Sequence, residues 1–236
     1  MDILLIGHGK MGKVVESIAN NRSHRIVGII NRTSGSSFDF RSHVDVAIEF
    51  TTPDAAADNI KLCVDHGIPV LSGTTGWLKQ KGTIDSYCLE KGGTFFYASN
   101  FSLGVNLFFK LNSQLAKMMS LHGSYEIQID ETHHTQKKDA PSGTAITLAE
   151  GILENIPRKK QWVKSETQNA EDLVIHSFRE DHTPGTHTIT YHSSEDDIQI
   201  KHIAHSREGF AQGAVLVAEW LPGKRGVLGM DDFLKF

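Results

Sequence analysis

Between Glu131 and Thr144 the chain reads ETHHTQKKDAPSGT, which sets two adjacent imidazoles, His133 and His134, a few residues before the two amines of Lys137 and Lys138. Asp139, Ala140 and Pro141 then make a turn, and Ser142, Gly143 and Thr144 lead into an apolar-periodic segment. Side chains of these types hold a small anion and give it a proton. Imidazole exchanges a proton near neutral pH, and a partly desolvated lysine can do the same. Free backbone N–H groups at a helix start favour carboxylate or phosphate, and Ser142 or Thr144 can cap that start. Taken one at a time, these residues are better explained as a solvated loop with a capped helix. Their grouping at this spacing is what points to chemistry.

Two elements must position them. Before the stretch, Tyr125–Asp130 (YEIQID) alternates apolar and polar residues, which predicts a strand. After it, Thr144, Ile146, Leu148, Ala149, Ile152 and Leu153 share one helical face. The expected order is strand, imidazole pair, basic loop, helix N-terminus.

A second chemical signal opens the chain. Ile3–Ile6 is a short apolar run of the kind a buried parallel strand needs. It leads into Gly7-His8-Gly9-Lys10-Met11-Gly12, a complete G-x-G-x-x-G, and Val14, Val15, Ile18 and Ala19 continue as a helix toward a second strand at Arg25–Ile30. Alone the motif is weak, but between a strand and a helix it predicts dinucleotide binding, with pyrophosphate on the helix N-terminus. The acid that usually binds a ribose 2′-OH after the second strand is absent, and Asn31-Arg32 stands there. An arginine accommodates a 2′-phosphate, so NADPH, or both NADPH and NADH, is expected over strict NADH.

Further strands are predicted at Val44–Phe50, Ile68–Ser72 and Thr94–Ala98, with helices from Pro53 to His66 and from Leu78 to Lys91. In an open α/β sheet ligands gather at the carboxyl ends of strands. Thr51, Gly73-Thr74-Thr75 and Ala98-Ser99-Asn100-Phe101 occupy such ends and could line a nicotinamide. From Gly104 an apolar stripe including Val105, Phe108 and Leu115 predicts a helix leaving this half. Beyond it, residues 157–172 are polar and without period, as in a mobile loop. Strand-like runs follow at Val174–Arg179, Thr186–His192 and Asp197–His205, then an amphipathic helix to Trp220 and a tail that returns to the first half. The fold class expected is α/β: a Rossmann-like dinucleotide-binding domain (1–103 with 207–236) plus a smaller α+β domain with a mixed or antiparallel sheet (104–206).

Composition narrows the class. The 236 residues allow a substantial core, and 39% apolar with 22% charged residues is ordinary for a soluble globular protein. A net charge of −4 without a long basic run excludes nucleic acid as an expected partner. Neither a secretory leader nor a membrane-length apolar run is read here. Cys63 and Cys88 lack C-x-x-C spacing and read as reduced packing residues of a cytoplasmic protein.

ETHHTQKKDAPSGTA resembles the signature E-x-H-H-x-x-K-x-D-A-P-S-G-T-A of the 4-hydroxy-tetrahydrodipicolinate (dihydrodipicolinate) reductase family of lysine and diaminopimelate biosynthesis. GHGKMG, GTTG at 73–76, SNFSLGVN at 99–106 and H-x-A-x-S-R from His202 to Arg207 agree with the family in order, so the resemblance spans essentially the whole chain. It implies a homotetramer, with a sheet of the second domain joining subunits, and NAD(P)H-dependent reduction of a cyclic dicarboxylate with loss of water. By the same resemblance His133 is the proton donor/acceptor and Lys137 a second proton donor, while His134, Gly143 and Thr144 bind substrate carboxylate. Gly7, His8, Gly9, Lys10, Met11, Gly12, Arg32, Gly73–Thr75 and Ala98–Phe101 would contact the cofactor. Two departures stand out: Asn31 replaces the family's usual acid, and Glu49-Phe50-Thr51-Thr52 replaces Asp-Phe-(Ser/Thr).

Three rival readings fit the sequence less well. A metal-dependent hydrolase would use His133 and His134, but neighbours on a strand face opposite ways and no metal spacing accompanies them, so no metal is expected. A semialdehyde-type dehydrogenase needs a thiolate, and both cysteines fall in predicted helices of the first half. A non-catalytic nucleotide-binding sensor would bind cofactor without needing His133 or Lys137.

Overall fold

The computed structural model describes residues 1–31, 38–165, 167–206 and 208–236. In chain order the strands are β1 (Asp2–Ile6), β2 (Arg25–Ile30), β3 (Val46–Glu49), β4 (Val70–Ser72), β5 (Thr94–Tyr97), β6 (Glu126–His133), β7 (Gln161–Val163), β8 (Asp172–Arg179), β9 (Gly185–His192), β10 (Asp197–Ala204) and β11 (Gly226–Leu228). The helices are α1 (Lys10–Asn21), α2 (Pro53–Asp65), α3 (Lys81–Glu90), α4 (Leu103–Met119), α5 (Gly143–Leu153), α6 (Glu208–Trp220) and α7 (Met230–Leu234). They fall into two compact units, Met1–Leu103 with Glu208–Phe236, and Gly104–Arg207.

In the first unit six parallel strands run in the order β11-β5-β4-β3-β1-β2. Alternate residues of a strand face opposite sides, so an apolar run fills two cores at once. Ile3, Leu5, Val46 and Ile48 enter one cluster with Val15 of α1 and Val215 of α6. Leu4, Ile6, Ala47 and Val70 enter the other with Ile60 of α2 and Ile84 of α3. A sheet covered by helices on both faces results, a Rossmann-like α/β plan. The returning tail supplies β11, which pairs with β5 from Gly226↔Thr94 to Leu228↔Phe96.

The second unit has a mixed sheet in the order β10-β9-β6-β8-β7. Its central strand, β6, lies antiparallel to β9 and parallel to β8. Ile127 and Ile129 of β6 pack with Ile175, Ile189 and Tyr191 and with Leu148 and Ile152 of α5. Glu131 and His133 continue the same buried face of β6. One face is therefore apolar at its start and ionisable at its end.

The mobile loop expected at 157–172 is not what the described residues show. Gln161–Val163 forms β7, parallel to β8. Lys159 is buried, and its ammonium donates to Glu126 Oε2 at 2.8 Å and to the carbonyls of Ala170 and Asp172 at 2.8 and 2.9 Å. Three acceptors hold the segment down, and polar composition alone cannot reveal acceptors brought from elsewhere.

Gly213 of α6 lies so close to the Phe101 carbonyl that a Cβ would stand 1.8 Å from its oxygen. Alanine gains about 1 kcal/mol of helix propensity over glycine, but here it must force α6 off the strand ends. We expect Gly213→Ala to lower unfolding free energy by about 1–3 kcal/mol, the usual cost of overpacking, read as an earlier urea midpoint. An unchanged or later midpoint would show that the contact yields without cost.

Candidate active site

Strand register builds the first cluster. Glu131 pairs across β6 with Ser177 of β8 and with His187 of β9, and His133 pairs with Arg179. Glu131 is fully buried. Its two oxygens accept the Ser142 backbone N–H at 3.0 and 3.1 Å, and Oε1 also accepts the Ser177 hydroxyl at 2.7 Å. His133 Nδ1 stands 3.5 Å from Oε2, His187 Nε2 3.7 Å from Oε2, and Arg179 Nη1 3.9 Å from Oε1. Burial pushes the Glu131 carboxyl up, yet the His187 imidazole, the two serine hydroxyls and the Ser142 N–H outweigh it and bring it down to about 2. The His187 contact at 3.7 Å is ion-pair range, so the serine bonds carry most of that effect.

His133 ends β6 and is buried, with Nδ1 making no hydrogen bond. Burial, and then His187, Lys137 and Arg179 beside it, push it down to about 4, against the opposing pull of Glu131. It is therefore a neutral imidazole at pH 7. An arriving dianion would reverse the balance around it.

The loop after β6 is held rather than loose. The Lys137 N–H donates to the His134 carbonyl at 3.1 Å. The Arg179 guanidinium donates to the carbonyls of Lys137 and Asp139 at 3.3 and 2.7 Å. The Lys137 ammonium sits 2.9 Å from Asp139 Oδ2. Ser142 caps α5, its hydroxyl accepting the Ala145 N–H at 3.2 Å, so Gly143 and Thr144 are the first residues of the helix. Their N–H groups belong to the set that a helix leaves without internal partners, which suits a carboxylate.

Glu131, His133 and His187 are also a trio whose donor atoms lie within 4.8 Å of one another, the geometry of a metal set. Both carboxylate oxygens are already bonded by Ser142, and one also by Ser177. The carboxylate is held by serine donors, with the two imidazoles at ion-pair distance.

The second cluster lies in the first unit. Gly7 has φ +94°, and a Cβ there would stand 2.0 Å from the Phe50 carbonyl oxygen. A Cβ on Gly12 would stand 2.3 Å from the Gly7 carbonyl oxygen. These glycines let the loop turn tightly beneath α1, whose N-cap, Gly9, offers no side chain. The α1 N-terminus is thus open to an anion, as a dinucleotide pyrophosphate requires. A cavity of about 320 Å³ is lined by Gly7, His8, Gly9, Asn31, Thr51 and Asn59 among others. Another of about 340 Å³ is lined by Gly9, Lys10, Met11, Thr51 and Gly73–Thr75. The expected glycine loop and the β4 end are thereby brought together. Ala98 and Phe101 are core residues, so any contact they make with a cofactor runs through backbone, while Ser99 is exposed. Arg32 lies outside the described residues.

Sequence reasoning missed His187, Ser177 and Arg179, and read Glu131 only as part of a signature. One signal was available for His187: Gly185, His187, Ile189 and Tyr191 alternate as the buried face of β9. An imidazole in such a row is a polar group that needs a reason.

Comparison with known proteins gives a consistent picture. The family model described as dihydrodipicolinate reductase, N-terminus, matches residues 1–101, and that described as dihydrodipicolinate reductase, C-terminus, matches residues 104–234. A 4-hydroxy-tetrahydrodipicolinate reductase of Christiangramia forsetii is 48% identical over 240 residues, covering 99% of this chain and 98% of the relative. One from Methanosarcina barkeri is 38% identical, covering 82% of this chain and 74% of the relative. In structure, a dipicolinate-bound dihydrodipicolinate reductase from Paenisporosarcina sp. superposes with a TM-score of 0.77 at 22% identity, covering 98% of each chain. That last likeness speaks to fold.

The Glu131 environment sets a pH dependence. A carboxyl near 4.3 in the unfolded chain and about 2 in the folded one stabilises the fold above pH 4.3, and this contribution is lost as pH falls toward 2. Glu131→Gln removes the ionisation and keeps the shape. The stability gap between wild type and variant, from urea unfolding, should be full at pH 5–6 and shrink steadily toward pH 2. A gap independent of pH would contradict the ionised assignment.

Proposed function

Because the chain belongs to the dihydrodipicolinate reductase family, we propose that the cluster around His133 binds 4-hydroxy-tetrahydrodipicolinate and protonates it during its reduction. The enzyme is an NAD(P)H-dependent oxidoreductase of lysine and diaminopimelate biosynthesis. Substrate, reduced cofactor and one proton give tetrahydrodipicolinate, oxidised cofactor and water. The observation that carries the site assignment is the row Ser177–Glu131–His187 with His133 beside it, next to the N-terminus of α5.

The reduced nicotinamide, when bound, supplies the hydride. The rest is work for side chains and backbone. Gly143 and Thr144 receive one carboxylate on the helix N-terminus, with His134 beside the ring. Lys137 exchanges Asp139 for a substrate carboxylate and is a second source of protons. His133, neutral while the site is free, gains a proton as the dianion approaches. Glu131 then stabilises the imidazolium from 3.5 Å away. Hydride addition leaves electron density on the ring, and His133 quenches it.

The unit Met1–Leu103 with Glu208–Phe236 holds the dinucleotide, through Gly7–Gly12 and the ends of β4 and β5. The unit Gly104–Arg207 holds substrate. We assign a cytoplasmic homotetramer joined through the five-stranded sheet. In support, β10 is an outer strand, and Phe178 and Ile203 are each 50% exposed. Among the described residues no helix is long and apolar enough to cross a membrane.

The direct test follows absorbance at 340 nm with freshly generated substrate and NADPH or NADH in turn. Oxidation of neither, with both bound, would favour a sensor over an enzyme. His133→Gln and Lys137→Ala should each lower kcat by about 100-fold or more, the usual scale for a lost general acid, with cofactor affinity nearly unchanged. Wild-type turnover in both would refute these roles. Separately, calorimetry of dipicolinate binding near pH 6.5, in buffers of different ionisation enthalpy, should show proton uptake that His133→Gln abolishes. Equal uptake in the variant would place the proton elsewhere.

A further inference from the structure

We infer that Glu49 is a positioning residue for the nicotinamide half of the cofactor, an inference that rests on the dinucleotide reading of the first unit. Glu49 ends β3 and is fully buried. No cation is needed to explain its burial, because hydroxyl groups converge on it. Thr51 donates to Oε1 in a short bond, Thr74 donates to the same oxygen at 2.9 Å, and Ser72 donates to Oε2 at 2.5 Å.

Those three donors come from two neighbouring strand ends. Thr51 follows β3, whereas Ser72 and Thr74 end β4 and begin the turn after it. Further bonds close the unit: the Thr51 N–H donates to Thr74 Oγ1 at 2.8 Å, the Gly73 N–H to the Glu49 carbonyl at 3.0 Å, and Asn59 Nδ2 to Thr51 Oγ1 at 3.2 Å. A carboxylate only accepts hydrogen bonds, so each hydroxyl must turn its proton inward. No hydroxyl proton of Thr51, Ser72 or Thr74 is then left for a ligand. What these loops offer the cavity is backbone and methyl surface at a fixed height.

The placement says which part of the cofactor is affected. The glycine loop follows β1, and the ribose-recognising position follows β2 on one side of it. In the order β4-β3-β1-β2 the other half of a dinucleotide must run over β3 and β4. Those are the two strand ends that Glu49 ties together. Thr51 lines both cavities described above, and Gly73–Thr75 line one.

The test measures binding, not turnover. Titrate the full chain with NADPH, and with 2′-phospho-ADP-ribose, which is the same nucleotide without nicotinamide; NADH and ADP-ribose form a second pair. Glu49→Gln keeps the shape but must turn an N–H toward a hydroxyl, and Glu49→Ala removes the acceptor. Both should raise the Kd for the complete nucleotide, Ala by about 10-fold or more, the range for losing hydrogen bonds to a charged group. The Kd of the truncated nucleotide should stay within about 2-fold. Glu49→Asp, which keeps the acceptor, should recover most of the loss. Equal affinity of wild type and Glu49→Gln for NADPH would overturn the inference, as would an equal loss of both ligands, which marks mere damage to the fold. If wild type binds neither pair, it is the dinucleotide reading that fails, and this inference with it.

Discussion

A carboxylate buried at the centre of a sheet is costly unless every lone pair finds a donor. Glu131 has the Ser142 N–H and the Ser177 hydroxyl as donors, with His133, His187 and Arg179 at 3.5–3.9 Å, only because β6, β8 and β9 pair in one particular register. Slip β8 by one residue and Ser177 turns to the other face. Slip β9, and His187 leaves the row. The Ser142 N–H reaches the same carboxylate, so the start of α5 is fixed by the anion that fixes the sheet. Electrostatics and strand register are one constraint here, and the N-terminal end of α5 inherits its place from both.

The same buried face explains the division of labour along β6. Ile127 and Ile129 supply apolar area to the core of the unit, and Glu131 and His133 place ionisable groups at its end. A rigid apolar start anchors an ionisable end. His133 is held dry because Ile129 and Ile127, four and six positions before it, are packed on the same side. Its proton affinity is then set by what arrives next to it, not by solvent.

The legible parts of the sequence were those with a steric or periodic signature. Gly7 and Gly12 occupy positions where any Cβ would strike a carbonyl, so the glycine loop is written in the chain itself. Ile3–Ile6 reads as a strand buried on both faces and is one. His133, Lys137 and the helix start at Gly143 fall within one short stretch, so their association is local. Other residues of the site are brought in by pairing. Ser177 lies 46 positions from Glu131, and nothing in its own neighbourhood marks it. Lys159 was misread because its three acceptors are invisible in a polar stretch. Glu49 looked like a minor departure from a motif, and only the fold shows three hydroxyls closing on it.

The last strand of the six-stranded sheet comes from the far end of the chain. Thr94 Oγ1 donates to the Lys224 carbonyl at 2.6 Å across 130 positions, and β11 lies along β5. While the polypeptide is still emerging from the ribosome, β5 and its pair Phe95 and Phe96 have no neighbour on that side. Contacts so distant in sequence form late, and an uncovered strand edge invites pairing with another chain. A chain stopped before Gly226 would carry that adhesive flank, so the arrival of β11 is what closes this edge of the six-stranded sheet.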